Sequence, residues 1–395
     1  MKTWDYQAVA EALTLGDAHE KWRDEFDRSG KEFEPGASWI CSESKVDAAW
    51  REMGFSAETG DAMRSAACEF RRQPALHRLL QHCQWELTEM RRIWPGWKAI
   101  PDCEMFYPLV YLSVWPNLRA MHENREIPPE ITRATVADLE LWMRVHLAKT
   151  GRWGLGEFSW FSLHFTGQIY ALGRLQIEIR AWRNPFHIYR NDKGDVVALA
   201  SAKGSFRQDG QFADADGLTD KNAWTADLRN EAGSMCGHPV SQDGAVQRDT
   251  ITIDHTRWKA ALCPEDPILS IHVPANGKLE DKACAQSISR ALEFFPRYFP
   301  EHRFRAFECI SWLMDGQLAK SLDSHSNIVQ FQRRFRLLPM PGTSDWQTFE
   351  RVFGGPVPSI DSAPRDTALR RAVLDHIKSG GKWRIGAGFI LNNGR

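Results

Sequence analysis

The chain has 395 residues, of which 43% are hydrophobic and 26% charged, with a formal net charge of −1. Length sets a starting expectation of two or three domains, and the composition is that of a folded chain rather than a disordered one. The balanced charge argues against a nucleic-acid partner, which usually shows as a basic domain.

The N-terminal stretch MKTWDYQAVAEALTL carries Asp5 and Glu11 and lacks the apolar core of a secretory leader. The apolar run YPLVYLSVW (107–115) is too short to span a bilayer. The expectation is a cytoplasmic protein without a membrane partner. The eight cysteines are scattered and form no CxxC pair, so neither a zinc knuckle nor a redox motif is expected, and no metal. The 17 tryptophans have no fixed spacing. They read either as a large aromatic core or as a surface for glycans or proteins.

In chain order, residues 1–150 read as a helical domain. The segment 60–94 is rich in helix formers, with Pro74 as a break. TVADLELWMRVHLAKTG (135–151) has Leu139, Trp142, Met143 and Leu147 on one face, with Thr135 and Asp138 spaced as a capping box and Gly151 as a stop. The domain break is expected near 149–156, around Gly151, Gly154 and Gly156, which gives domains 1–150 and 151–395.

Beyond it the periodicity changes. RLQIEIRAWR (174–183) alternates like a strand, and FHIYRNDKGDVVALAS (186–201) reads as two strands joined by a turn. Residues 203–248 are polar and Gly/Asp/Asn-rich, as in a long loop or insertion. Strand 268–273 then leads to helix 279–295, strand 304–313 to helix 316–330, and strand 331–338 to helix 366–378, before a closing strand. This order predicts an α/β fold with parallel strands and flanking helices.

ILSIHVPANGKLEDKACAQSISRALEFF (268–295) carries the chemistry. Leu269, Ile271 and Val273 share one strand face, and Ser270 and His272 the other. After Pro274, Ala275 and Asn276, Gly277 can adopt the positive φ of a tight turn. The helix that follows presents free N–H groups and a positive dipole end, with Lys278 and Lys282 adding charge, an arrangement that can hold phosphate. Glu280 and Asp281 in the same turn compete with an anion, and the same pattern also serves as a plain structural connection.

HVPANGKLEDKACAQSISRALEFFPRYFP, CISWLMDGQL, SNIVQFQRRFRLLP and DTALRRAVLDHIKSGGKW, with YALGRLQIEI upstream, resemble bacterial acyltransferase-domain proteins. These have a helical N-acyltransferase N-terminal domain followed by a GNAT-like C-terminal domain. The resemblance runs over most of 155–390. It implies a helical domain followed by a GNAT-like mixed β-sheet flanked by helices. It also implies transfer of an acyl group, acetyl foremost, from acyl-coenzyme A to an amine or hydroxyl of a small-molecule acceptor. Acetyl-CoA or another acyl-CoA would be the co-substrate.

By the same resemblance, Pro274, Ala275, Asn276, Gly277, Lys278 and Lys282 take the place of the pyrophosphate loop, although the family's fuller glycine pattern is absent. His272 takes the place of the general base, the other reading being a buried, hydrogen-bonded strand histidine. Glu308 stands on the next strand, either orienting His272, serving as a second base, or pairing with Arg303 or Arg305. No tyrosine occupies helix 316–330; Ser321, Ser324, His325 and Ser326 are its polar candidates, or a helix-ending turn. Arg334 and Arg336 read as one side of a strand, which serves either as a solvated face or as a place to meet the coenzyme's phosphates or an acidic substrate. Two other readings share the fold: a non-catalytic acyl-CoA or metabolite-binding module, and a glycan- or protein-interaction protein.

Overall fold

The computed structural model describes residues 4–32, 42–215, 220–342, 345–357 and 359–392. The chain divides into two compact units, Met1–Leu172 and Gly173–Arg395.

The first unit is helical. Its elements are α1 (Tyr6–Ala12), α2 (Arg23–Glu32), α3 (Glu43–Met53), α4 (Ala57–Phe70), α5 (Pro74–Thr88), α6 (Phe106–Asn124), α7 (Pro129–Thr150), the single turn α8 (Ser162–Phe165) and the short strand β1 (Ile169–Ala171). Pro74 interrupts 60–94 by opening α5 at its first turn, where a missing N–H costs nothing. α7 begins earlier than its capping residues suggested. Pro129 already starts it, so Thr135 and Asp138 lie inside the helix and form no capping box. Thr135 Oγ1 instead donates to the Ile131 carbonyl at 2.8 Å, and buried Asp138 accepts from the Trp160 indole N–H at 3.0 Å. The core gathers Trp22, Phe26, Phe106, Tyr107 and Tyr111, all fully buried. No described helix is long and apolar enough to cross a membrane.

The second unit is built on a mixed sheet. In chain order it contains β2 (Gln176–Ala181), β3 (Phe186–Asn191), β4 (Val196–Ala200), β5 (Ser205–Phe206), β6 (Trp224–Thr225), β7 (Leu228–Glu231), β8 (Ser234–Gly237), β9 (Ile251–Asp254), β10 (Trp258–Leu262) and β11 (Pro267–His272). It continues with α9 (Asp281–Tyr298), β12 (Ala306–Ser311), α10 (Leu318–Ser321), α11 (Asn327–Gln332), β13 (Arg336–Leu338), α12 (Trp346–Phe353), α13 (Ala368–Lys378) and β14 (Gly386–Leu391). Within this unit the order runs β2-β11-β12-β14-β13. β11 and β12 are parallel, joined through α9, and the other neighbours are antiparallel. This is the α/β architecture that the alternating elements predicted.

α9 covers the Leu269/Ile271 face of the sheet. It buries Cys284, Ala291, Phe294 and Phe295, and the rings of Phe295, Phe304 and Phe307 meet edge to face. On the opposite face Ile268, Ala306, Ala387 and Phe389 join Trp182, Phe186 and Ile188 in one apolar cluster.

Three expectations are corrected here. Residues 203–248 are not one long loop: they carry β5–β8, and β5 pairs with β6 while β7, β8 and β9 form a small sheet. Helix 316–330 is split into α10 and α11 by the turn at 322–326, where the Ser326 hydroxyl caps α11. Strand 331–338 shrinks to Arg336–Leu338, because Phe331 and Gln332 still belong to α11. Arg334 therefore lies in the connection, and the strand alternation that paired it with Arg336 does not exist.

Candidate active site

The parallel pair sets the site. Pairing between β11 and β12 covers Ile268–Ala306, Leu269–Phe307 and Ser270–Glu308. Beyond that point β11 continues beside β2 to His272, and β12 beside β14 to Ser311. The two central strands thus part after Ser270 and Glu308. The facing backbone edges past the parting lie outside the ladder, where N–H and C=O groups need another partner. His272 stands on β11 just past the parting.

His272 Nε2 lies 2.7 Å from Glu178 Oε2 on β2. The carboxylate is buried and the imidazole is about one quarter exposed, so the pair meets solvent through the histidine. Antiparallel register puts Glu178 opposite Ser270 and Gln176 opposite His272. Glu178 was absent from the residues singled out in the sequence, where it reads as the polar half of an alternating strand. It, rather than Glu308, meets His272.

Glu308 occupies the same face, in line with Glu178 across Ser270. It is 1% exposed. Its Oε1 accepts from the Asn184 amide, and its Oε2 lies 4.0 Å from the Arg180 guanidinium. Arg303 and Arg305 are not its partners; Arg305 reaches Asp266 at 3.4 Å instead. Burial pushes the Glu308 carboxyl up to about 7, against the opposing pull of Arg180 and of the Asn184 hydrogen bond.

The loop after β11 is held from below by Arg174. Its Nε donates to the Lys278 carbonyl at 2.8 Å, and its Nη2 to those of Pro274 (3.2 Å) and Gly277 (3.1 Å). Arg174 is itself fixed through its backbone N–H, which donates to Ser287 Oγ on α9 at 2.9 Å. Burial lowers the Arg174 pKa. Gly277 has φ +73, and a side chain there would point into open space. Ala275, Asn276, Gly277 and Lys278 are exposed, as is Lys282 in the first turn of α9. Glu280 takes the N-cap position without a side-chain capping bond. Asp281 in that turn is neutralised by Arg334, whose Nε reaches Oδ1 at 2.9 Å and whose Nη2 reaches the Asp281 carbonyl at 3.0 Å.

The remaining candidates are dispersed. Ser321 Oγ donates to the Gln317 carbonyl at 3.1 Å, Ser326 caps α11, and the His325 backbone N–H is bonded by Asp323. All three serve local structure. Cys284 and Cys309 are buried, which raises the pKa of both thiols and leaves them poor nucleophiles. Among the described residues no group of three His, Cys, Asp or Glu is placed to hold a metal ion.

Two family models match the chain. The N-acyltransferase N-terminal domain covers residues 44–167, and the GNAT-like C-terminal domain covers residues 169–390. No curated protein matches it. Among solved structures it is similar to an acyltransferase in complex with decanoyl-CoA and teicoplanin and to one in complex with CoA and 10C-teicoplanin. Each is 25% identical, with a TM-score of 0.70 over 98% of this chain and 99% of the other. A mutant acyltransferase in complex with octanoyl-CoA, 24% identical with a TM-score of 0.69 over the same shares, has the same fold. The helical first unit, the parting parallel strands of the second and these matches lead to one conclusion: the chain belongs to the acyltransferases that join an N-acyltransferase N-terminal domain to a GNAT-like C-terminal domain.

Proposed function

We propose that this acyltransferase moves the acyl group of an acyl-CoA onto an amine or hydroxyl of a small-molecule acceptor, with His272 as general base and Glu178 as its positioning residue. The observation that carries the reading is the 2.7 Å contact between His272 and Glu178 at the point where β11 and β12 part. With Nε2–H donated to Glu178, the imidazole keeps a lone pair on Nδ1 for the acceptor's proton. The acceptor's N or O then bonds to the thioester carbon. A backbone N–H on the facing edges past the parting stabilises the oxyanion. As the tetrahedral adduct collapses, the C–S bond breaks and the coenzyme thiolate takes the proton held by His272.

The exposed loop Pro274–Lys278 and Lys282 would hold the pyrophosphate, shaped by the positive φ of Gly277 and the grip of Arg174. The donor favoured is a medium-chain acyl-CoA rather than acetyl-CoA, because the similar structures hold octanoyl- and decanoyl-CoA. The acceptor favoured is a glycopeptide of the teicoplanin kind, which two of those structures contain. The test is coenzyme thiol release from acyl-CoAs ranging from acetyl to decanoyl, with teicoplanin-type acceptors. Rates that rise with chain length support the reading. Acetyl-CoA as the best donor would exclude the medium-chain assignment, and absence of release with every donor would exclude His272-assisted transfer to this acceptor class.

A further inference from the structure

We propose that a cavity between α6 and the first turn of α7, in the helical unit, binds a small carboxylic acid with an apolar body. The site uses none of the residues assigned above to acyl transfer.

The cavity has a volume of about 190 Å³. That is below the range of drug-sized ligand sites and near that of cavities that take up benzene. Trp115 and Ile127, both buried, and Pro129 give it apolar walls. His122 also lines it and is 2% exposed. Its Nδ1 lies 2.8 Å from the Thr132 hydroxyl, and its Nε2 is buried with no hydrogen-bond partner. Burial lowers the His122 pKa to about 4, so the ring is neutral near neutral pH and carries one hydrogen. The Thr132 hydroxyl is buried as well and has no other partner among the described residues. Were Nδ1 the donor, the hydroxyl hydrogen would be enclosed without an acceptor. With Thr132 donating to Nδ1, the one unmet hydrogen sits on Nε2 instead, in a residue of the cavity wall, where a ligand oxygen can accept it.

The charges around the cavity favour an anion. Arg133 lines it, is exposed, and has no ion pair or hydrogen bond among the described residues. The two carboxylates at the cavity are already engaged by Arg119. Glu52 Oε2 accepts from Arg119 Nη1 at 2.6 Å and from the Trp115 indole N–H at 2.9 Å, and Glu123 Oε1 lies 3.5 Å from Arg119 Nε. α7 starts at Pro129 with no side-chain cap, and Pro129, Thr132 and Arg133 of its first turn line the cavity, so the positive helix end adds to the same preference. Glu130 of that turn does not line it. A carboxylate accepts the His122 hydrogen through one oxygen and pairs with the Arg133 guanidinium, while its apolar body covers Trp115 and Ile127.

The test is calorimetric titration of the full chain with 3-phenylpropionate, 3-phenylpropan-1-ol and 3-phenylpropylamine, which share one apolar body and differ in the terminal group. The acid should bind at least about tenfold more tightly than the alcohol or the amine. In Arg133→Gln, a change at an exposed position, that preference should fall to within about threefold, with an unchanged melting curve. His122→Leu should weaken the acid severalfold and leave the alcohol unchanged. The Arg133 variant keeps the test readable if His122→Leu folds poorly. Equal affinity for the three probes, a preference for the amine, or no binding of the acid would overturn the assignment. Undiminished acid affinity in a folded variant at either position would overturn it too, because the acid would then sit elsewhere in the chain.

Discussion

The carboxylate of Glu178 and the imidazole of His272, 94 residues apart in sequence, lie 2.7 Å from each other because β2 and β11 run antiparallel in a register that puts them on one face. A carboxylate held this way fixes which ring nitrogen carries the hydrogen and stabilises the imidazolium formed when the ring takes a proton. In Glu178→Gln the geometry can persist while that stabilisation is lost. The turnover rate should fall by at least about tenfold, yet by less than the loss of the base itself, worth roughly 10²–10⁴. Acyl-CoA affinity should be unchanged by calorimetry. A variant with the parent's turnover would remove Glu178 from the machinery.

Glu308 makes stability depend on pH. Its carboxyl is pushed up to about 7 by burial, against an ordinary value of 4.5. Between those values the folded protein keeps a proton that the unfolded chain has released, so stability falls as pH rises through that window. The contribution is fully present below the unfolded value and lost above the folded one, at most about 3 kcal/mol. Urea unfolding at a series of pH values should show this decline in the parent and a flatter profile in Glu308→Gln. Equal slopes in the two proteins would mean that Glu308 titrates as an ordinary surface acid.

At Gly277 the argument is conformational. Its φ of +73 suits glycine, and the space around it is open, so a β-branched residue acts through the backbone rather than by collision. Gly277→Val should keep the fold and weaken acyl-CoA binding at least about tenfold, about 1.4 kcal/mol. Unchanged affinity in the folded variant would take the loop out of the donor site.

Arg174 gives a separate handle on the same loop. Arg174→Met removes the donors that hold the Pro274, Gly277 and Lys278 carbonyls while keeping most of the side-chain length. Donor KM should rise severalfold with kcat little changed, because the histidine is held from β2. An equal fall in kcat at constant KM would show that Arg174 supports the chemistry rather than the loop.

How much of this could be read along the chain follows from the range of each interaction. β11, α9 and β12 were legible because their signals are local: a period-two apolar run, a glycine turn, then an amphipathic helix. The places of His272 on that strand and of Gly277 in that turn were legible for the same reason. Glu178 was not, since only the β2–β11 register brings it to His272, and Asn184 and Arg180 reach Glu308 by the same non-local route. The short strands in 203–248 escaped notice because Arg229, Asn230 and Glu231 are exposed and give β7 no apolar alternation. Thr135 and Asp138 mimicked a helix start, yet Pro129 had already supplied one, and Asp138 turned inward to Trp160. Arg334 looked like a strand residue because α11 extends past the point where its polar run suggested an end.

The most direct measurement of the central claim is steady-state turnover of His272→Ala beside its acyl-CoA affinity and thermal melt, all on one preparation. The account predicts retained donor binding, a melt close to the parent's, and turnover lower by roughly 10²–10⁴. A folded His272→Ala protein with the parent's turnover would contradict it.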